Sequence, residues 1–376
     1  MTSNGSIRYR RIVVKAGTNV LTGGNGNLDL DVIGSLVGQL AAIHGQGAEV
    51  ALVTSGAVAA GSHALSRNSG RSDIPFRQAL AAVGQGRLMH TYEQLFEAQD
   101  ITVAQALLSR RDMLDREGYL NVRNTLLALL DYKVIPIINE NDVVAVDELE
   151  ELGFGDNDTL SAMVANLIDA DLLIILSDID GLYTADPHVE PDAQLLRRVE
   201  VIDDSITAMA GPLRAGMSRG GMEAKLAAIK LAAASGVAVS LAGGRQPGVV
   251  ELLASGEEVG TYFAPTASKM ESRKRWMLSG LSTRGRIVVD AGAVEALRAH
   301  KRSLLPAGVR DVEGDFSRGD IILVVDQEGE RIACGVTGYS AADVKIIRGL
   351  RSNKIEEALG YRFSEEVLHR NNLAIL

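Results

Sequence analysis

Cysteine is nearly absent: Cys334 stands alone among 376 residues. No intramolecular disulfide and no multi-cysteine zinc site can form, and a reducing compartment is expected. Six histidines are scattered without metal-ligand spacing, so no protein-held metal is expected. The stretch from Met1 to Arg11 has no apolar core of a secretion signal, and no later stretch offers about 20 uninterrupted apolar residues. The expectation is a cytoplasmic protein with no membrane attachment. Two nucleotide signatures are missing as well. G-x-x-x-x-G-K-[ST] occurs nowhere, and after the first apolar run Gly17 is followed by Thr18 and Asn19 instead of a G-x-G-x-x-G pattern. These absences exclude a Walker-type phosphate loop and disfavour a dinucleotide-dependent dehydrogenase. Prolines number only 8, and 46% hydrophobic residues stand against 23% charged ones, the profile of a globular chain.

The length exceeds the roughly 250 residues at which single cores stop growing, so two domains are expected. Net charge is −10. Up to residue 283 there are 24 basic and 34 acidic side chains, and afterwards 14 of each. The acidic balance argues against general polyanion binding, while a few local lysines and backbone amides would still hold an anionic nucleotide.

Apolar β-branched runs at 12–14, 50–53, 101–108, 134–138, 172–176 and 237–241 alternate with helix-period segments at 28–44, 76–98, 117–130, 157–168 and 221–235. This alternation predicts an α/β fold, a mainly parallel sheet sandwiched by helices. In such sheets ligands bind at the C-terminal strand ends. Polar punctuation falls there: Lys15-Ala16-Gly17-Thr18, Thr54-Ser55-Gly56, Asn139-Glu140-Asn141-Asp142 and Ser177-Asp178. After Ser272-Arg273-Lys274-Arg275 the pattern changes to short strands (286–290, 320–325, 331–336) and short helices (292–299, 353–359). The division is a domain over 1–278 and a small, mostly β domain over 284–376.

Taken singly, each motif has a plain structural reading. Lys15 is equally a solvated strand-end lysine, Ser55 a helix N-cap, and the loop at 216–221 a glycine hinge. Asp156-Asn157-Asp158 is harder to dismiss, because capping accounts for one polar residue at a helix start and not three. Asp158 falls in the first helical turn, where a carboxylate could orient two ammonium groups. Gly220-Gly221-Met222 leads into a helix carrying Lys225 one turn inside.

In register, seven segments resemble the amino-acid kinase family: Val14-Lys15-x-Gly17-Thr18, Val53 to Gly61, Leu80 to Gln85, Ile138 to Asp142, Gly155 to Asp158, Gly181 to Pro187, and Gly220-Gly221-Met222-x-x-Lys225. The tail, with Ser303 to Gly308 and Phe316 to Gly319, resembles a PUA domain. The resemblance implies transfer of the ATP γ-phosphoryl group, with Mg²⁺ carried mainly by ATP oxygens and water, to the side-chain carboxylate of L-glutamate, at the start of proline biosynthesis. An acceptor carboxylate is already ionised at neutral pH, so no general base is required.

By the same resemblance Lys15 and Lys225 are catalytic and Asp158 holds both. Ser55, Gly56, Asn139, Asp142 and Asn157 bind the acceptor, an acidic side chain meeting its ammonium and an amide its carboxylate. Lys15, Gly17, Ser177, Asp178, Arg219, Gly220, Gly221, Met222 and Lys225 form the nucleotide site. Where the family loop reads Gly-Thr-Gly-Gly-Met, this chain has Arg219 in place of threonine. The resemblance also implies a homo-oligomer and feedback by proline. Acetylglutamate, aspartate, carbamate and uridylate kinases share the fold and stay open as alternatives. RNA binding by the tail also stays open, although its even charge balance lacks the basic excess of a general RNA binder.

Overall fold

The structure, a computed structural model, describes residues 6–24, 26–65, 73–144, 157–187, 189–210, 221–269 and 281–376. They pack as two compact units, one comprising the chain up to Met113 together with Arg123–Ser268, the other Leu114–Val122 together with Lys269–Leu376.

The first unit is built on β1 (Arg11–Ala16), β2 (Glu49–Thr54), β3 (Val103–Leu108), β4 (Ile135–Glu140), β5 (Leu172–Ser177), β6 (Arg198–Val199), β7 (Ala238–Gly243) and β8 (Thr261–Phe263). Their order in the sheet is β3-β4-β2-β1-β5-β7-β8-β6. Every pairing is parallel except β7 with β8. Leu172 to Ser177 is buried throughout, as a strand covered on both faces must be. The chain moves from β1 to β2 on one side of the sheet, then returns to place β5 on the other side of β1. The order therefore reverses beside β1, and the crevice at that reversal lies at the C-terminal ends of β4, β2, β1 and β5.

Helices α1 (Thr18–Thr22) and α2 (Leu30–Gly45) follow β1, α3 (Ala57–Leu65) and α4 (Ile74–Glu97) follow β2, and α5 (Arg110–Leu114) and α6 (Arg116–Asp131) follow β3. Then come α7 (Asn157–Leu167) after β4, α8 (Asp204–Ala208) after β6, α9 (Met222–Ala234) before β7 and α10 (Val249–Ser255) after it. Asp29 starts α2 by accepting a hydrogen bond from the Val32 amide. Ile12, Val14 and Ala16 of β1 enter a core with Ile33, Leu40 and Leu88. Strand side chains alternate between faces, so Val13 and Lys15 fall on the other one.

Helices α3 and α4 meet backbone to backbone. A methyl group at Gly61 would lie 1.9 Å from the Leu80 carbonyl oxygen, and one at Gly84 1.8 Å from that of Ala57. No side chain fits at either position, and this contact fixes α4 against the start of α3, just beyond Ser55 and Gly56.

The second unit has a sheet ordered β10-β9-β11-β12-β13, formed by β9 (Leu281–Val289), β10 (Val309–Gly314), β11 (Ile321–Val325), β12 (Arg331–Val336) and β13 (Leu373–Ile375). Ile287, Val309, Ile322, Val324, Ile332 and Leu368 belong to its own core. The helix Ala341–Ile347 starts with a reciprocal cap between Ser340 and Asp343. Leu120, at the start of α6, is buried with Ile321, Cys334, Val336 and Ala374. Among the described residues no helix is long and apolar enough to cross a membrane.

The sheet class and helix alternation match the sequence expectation. Strands β6, β8, β10 and β13 and the helices Val249–Ser255 and Ala341–Ile347 are not expected from it.

Candidate active site

A cleft of about 430 Å³ opens at the strand-order reversal, lined by residues that follow β1, β2, β4 and β5 and by Lys225 of α9. Beneath Lys15 and Lys225 of its lining lies Asp158, at 0% exposure in the first turn of α7. Lys15 reaches it from the penultimate position of β1, Nζ to Oδ1 at 2.6 Å, and Lys225 reaches it from α9, Nζ to Oδ2 at 3.2 Å. One carboxylate thus gathers two lysines from separate elements, 4% and 9% exposed. Two ammonium groups and one carboxylate leave an excess positive charge, in surroundings where interactions between charges are stronger than in water. The anticipated trio is brought together as read from the sequence.

Gly17 is the N-cap of α1, and a methyl group there would lie 3.2 Å from Lys15 Nζ. Gly56 has φ +103°, a conformation that side chains other than glycine rarely adopt. Both glycines keep backbone close to the cleft. Met222 opens α9 after its N-cap Gly221. Arg219 and Gly220, also expected at the nucleotide end, lie outside the described residues.

A neutral hydrogen-bond chain adjoins the charged trio. Asn157 Nδ2 donates to Ser55 Oγ at 2.8 Å and to Asn139 Oδ1 at 3.2 Å. Asn139 in turn donates from Nδ2 to Gln85 Oε1 at 2.8 Å, and its Oδ1 also accepts from the Glu140 amide at 2.9 Å. Asp142, 8% exposed, lines the same cleft. Its backbone carbonyl and that of Val143 accept from Gln78 Nε2, each at 3.2 Å. The expected acceptor residues Ser55, Gly56, Asn139, Asp142 and Asn157 all line the cleft.

After β5, Ser177 Oγ donates to Asp178 Oδ1 at 3.1 Å, and Asn19 Nδ2 donates to Asp178 Oδ2 at 2.9 Å. Partial desolvation would raise the Asp178 carboxyl, but the bonds from Asn19, its own amide and Ser177, with the Lys225 charge, outweigh it and hold the group below the ordinary carboxylate range. Behind Ser55, the buried Tyr92 hydroxyl pairs with Thr54 Oγ1 at 2.8 Å. Burial pushes this phenol upward, so it stays neutral.

Four participants were given no role from the sequence: Asn19, Gln78, Gln85, which closes the segment Leu80 to Gln85, and Arg77, which lines the cleft from α4. A signal existed for two of them. Gln78 and Gln85 are seven residues apart, two turns on one helix face.

Comparison with known proteins extends the description. The family described as Amino acid kinase family matches residues 10–242, and the PUA domain matches residues 285–359. A glutamate 5-kinase of Dehalococcoides mccartyi is 50% identical over 98% of this chain and 99% of its own length. Those of Herpetosiphon aurantiacus and Citrifermentans bemidjiense are 49% and 47% identical, covering 97% and 98% of this chain and 98% of their own lengths. The UMP kinase from Bacillus anthracis is 18% identical with a TM-score of 0.48, covering 69% of this chain and 97% of that one. Because the family match runs from β1 into β7, through every strand that frames the cleft, the chain belongs to the amino acid kinase family.

Proposed function

We propose that the protein transfers the γ-phosphoryl group of ATP to the side-chain carboxylate of L-glutamate, forming L-glutamyl 5-phosphate, the opening step towards proline. The observation that carries this reading is the pairing of Lys15 and Lys225 on one buried carboxylate, beside a neutral hydrogen-bond chain, in a cleft with no histidine among its described lining residues. Such a site neutralises and aligns anions without abstracting a proton. The whole-length likeness to glutamate 5-kinases supports glutamate as the acceptor.

In the reaction an oxygen of the acceptor carboxylate bonds to the γ-phosphorus while the bond to the β,γ-bridging oxygen breaks, and ADP leaves with that electron pair. No proton moves. Lys15 and Lys225 offset the charge that redistributes over the transferring group, and Asp158 holds the two ammonium groups in register. Asp142, Asn157 and Ser55 hold the amino acid. Gly17, Ser177, Asp178 and the segment from Arg219 through Gly220, Gly221 and Met222 serve the nucleotide. Mg²⁺ would arrive on the nucleotide phosphates with its remaining positions filled by water.

The same reading assigns catalysis to residues 1–278, with 284–376 a structural or regulatory appendage, and takes the protein as a cytoplasmic homo-oligomer. Proline shares the α-amino and carboxylate groups of glutamate and would compete for the same pocket. The test is a panel of glutamate, N-acetylglutamate, aspartate, carbamate and UMP with ATP, with acyl phosphate trapped as the hydroxamate. Glutamate alone should yield both hydroxamate and stoichiometric ADP. Preference for another acceptor would overturn the assignment.

A further inference from the structure

The neutral hydrogen-bond chain has a direction that one backbone group imposes. The Glu140 amide donates to Asn139 Oδ1, and a backbone N–H can only donate. The Asn139 oxygen is therefore fixed on that side, which sends its Nδ2 to Gln85 Oε1. Asn157 approaches the same oxygen and must present its Nδ2. Turning Asn157 over would oppose two acceptors, and turning Asn139 over as well would oppose its amino group to the Glu140 amide. With its Nδ2 directed to Asn139 and Ser55, Asn157 keeps an Oδ1 that is buried and has no hydrogen-bond partner among the described residues. Asn157 is 5% exposed and lines the cleft. Ser55 Oγ, already accepting, retains its hydroxyl hydrogen as a donor.

We infer that Gln85 is a positioning residue of the acceptor pocket: by accepting from Asn139 Nδ2 it holds the chain in the direction that the Glu140 amide sets, so that Asn157 offers the bound amino acid an oxygen and Ser55 offers it a hydrogen. This reverses the role expected of the amide from sequence. The Asn157 carbonyl, with Asp142, meets the ammonium, and the Ser55 hydroxyl serves the carboxylate. A buried acceptor without a donor is costly, and the ammonium of an α-amino acid supplies that donor. Gln85 is delivered to this place by the backbone contact of α3 with α4, and Gln78 on the same helix face grips the carbonyls of Asp142 and Val143. One helix thus orients both acceptor segments.

The inference rests on the substrate reading above, and its test separates the two. In the full-length protein, Gln85→Met keeps size and helix propensity but removes the acceptor, Gln85→Glu keeps an acceptor, and Gln85→Leu is a second apolar probe should the Met variant fold poorly. Gln85→Met should raise the glutamate KM roughly three- to tenfold, the worth of one hydrogen bond, and move the ATP KM by less than about twofold. Glutarate, which lacks the ammonium and keeps only the carboxylate contact to Ser55, should lose clearly less affinity for Gln85→Met than glutamate does. Gln85→Glu should restore the glutamate KM. Parallel weakening of glutamate and glutarate, no change in either, or a Gln85→Glu variant as impaired as Gln85→Met would overturn the role. A wild-type protein that does not phosphorylate glutamate would instead overturn the substrate reading, whatever the variants do.

Discussion

The charged trio Lys15, Asp158 and Lys225 and the neutral chain Ser55, Asn157, Asn139 and Gln85 adjoin behind the wall of one cleft, where Asn157 and Asp158 are consecutive residues of α7, yet they are made on opposite principles. The trio is an ion cluster taken out of water, with Asp158 fully buried. Burying charges costs several kcal/mol per ion unless geometry repays it, so its stabilising value is small and its use lies in strong, preset electrostatics. The chain carries no formal charge. Its content is polarity, who donates and who accepts, set by a single backbone amide. Charge suits a group whose electrons move during reaction, and fixed hydrogen-bond direction suits a ground state that must be told from its analogues.

The largest effect expected from this contrast is that of Asp158→Ala. It removes the carboxylate that both lysines approach, and leaving buried charges without it should cost about 3–5 kcal/mol of stability. Turnover should fall on the order of a thousandfold as the two ammonium groups lose register. Thermal unfolding and single-turnover phosphoryl transfer measure the two losses, and a stable variant with near-normal turnover would show that the trio is incidental.

Next in size is Asn157→Ala, in the neutral chain. It removes the donor to Ser55 and the acceptor offered to the ammonium, and should raise the glutamate KM on the order of tenfold or more while stability changes by about 1 kcal/mol. Equal changes in the KM values of glutamate and ATP would deny the chain its separate role. The smallest effect belongs to Asn19→Ala. Asp178 titrates below the ordinary carboxyl value, so its hydrogen bonds add stability that is present above about pH 4 and is lost as pH falls through the folded-state value. The variant should therefore be slightly less stable than wild type at neutral pH, and the gap should close on acidification. A gap that widens in acid would contradict the assigned direction.

Much of this contrast can be read from the sequence, though unevenly. Apolar runs ending in Lys15, Ser55, Asn139 and Ser177 mark strand ends, and strand-end position alone brings them to one crevice once the sheet is parallel. The face of Lys15 follows from alternation along β1. The hydrogen-bond chain itself does not follow, because it needs Gln85 of α4 to meet Asn139 of β4 across 54 positions of chain. Strand β10 escapes because a register shift between Val309 and Asp311 breaks the period-2 pattern, and β6, of two residues, is too short to show a period. The reciprocal cap at Ser340 and Asp343 is a helix start legible in the sequence. Grouping of Leu114–Val122 with the C-terminal unit is invisible in a helix that reads as one amphipathic run.

The division of labour between the group that acts on phosphoryl transfer and the pocket that holds the amino acid is tested most directly by steady-state kinetics of Lys225→Ala and Asp142→Ala side by side, varying glutamate and ATP in turn. Loss of a charge that acts on the transferring group should lower kcat of Lys225→Ala by about a hundredfold or more with a glutamate KM close to wild type. Loss of an ammonium partner should raise the glutamate KM of Asp142→Ala at least about tenfold, leaving the ATP KM and saturating turnover close to wild type. Lys225→Ala with normal kcat and a raised glutamate KM, or Asp142→Ala with lowered kcat and an unchanged glutamate KM, would contradict the account.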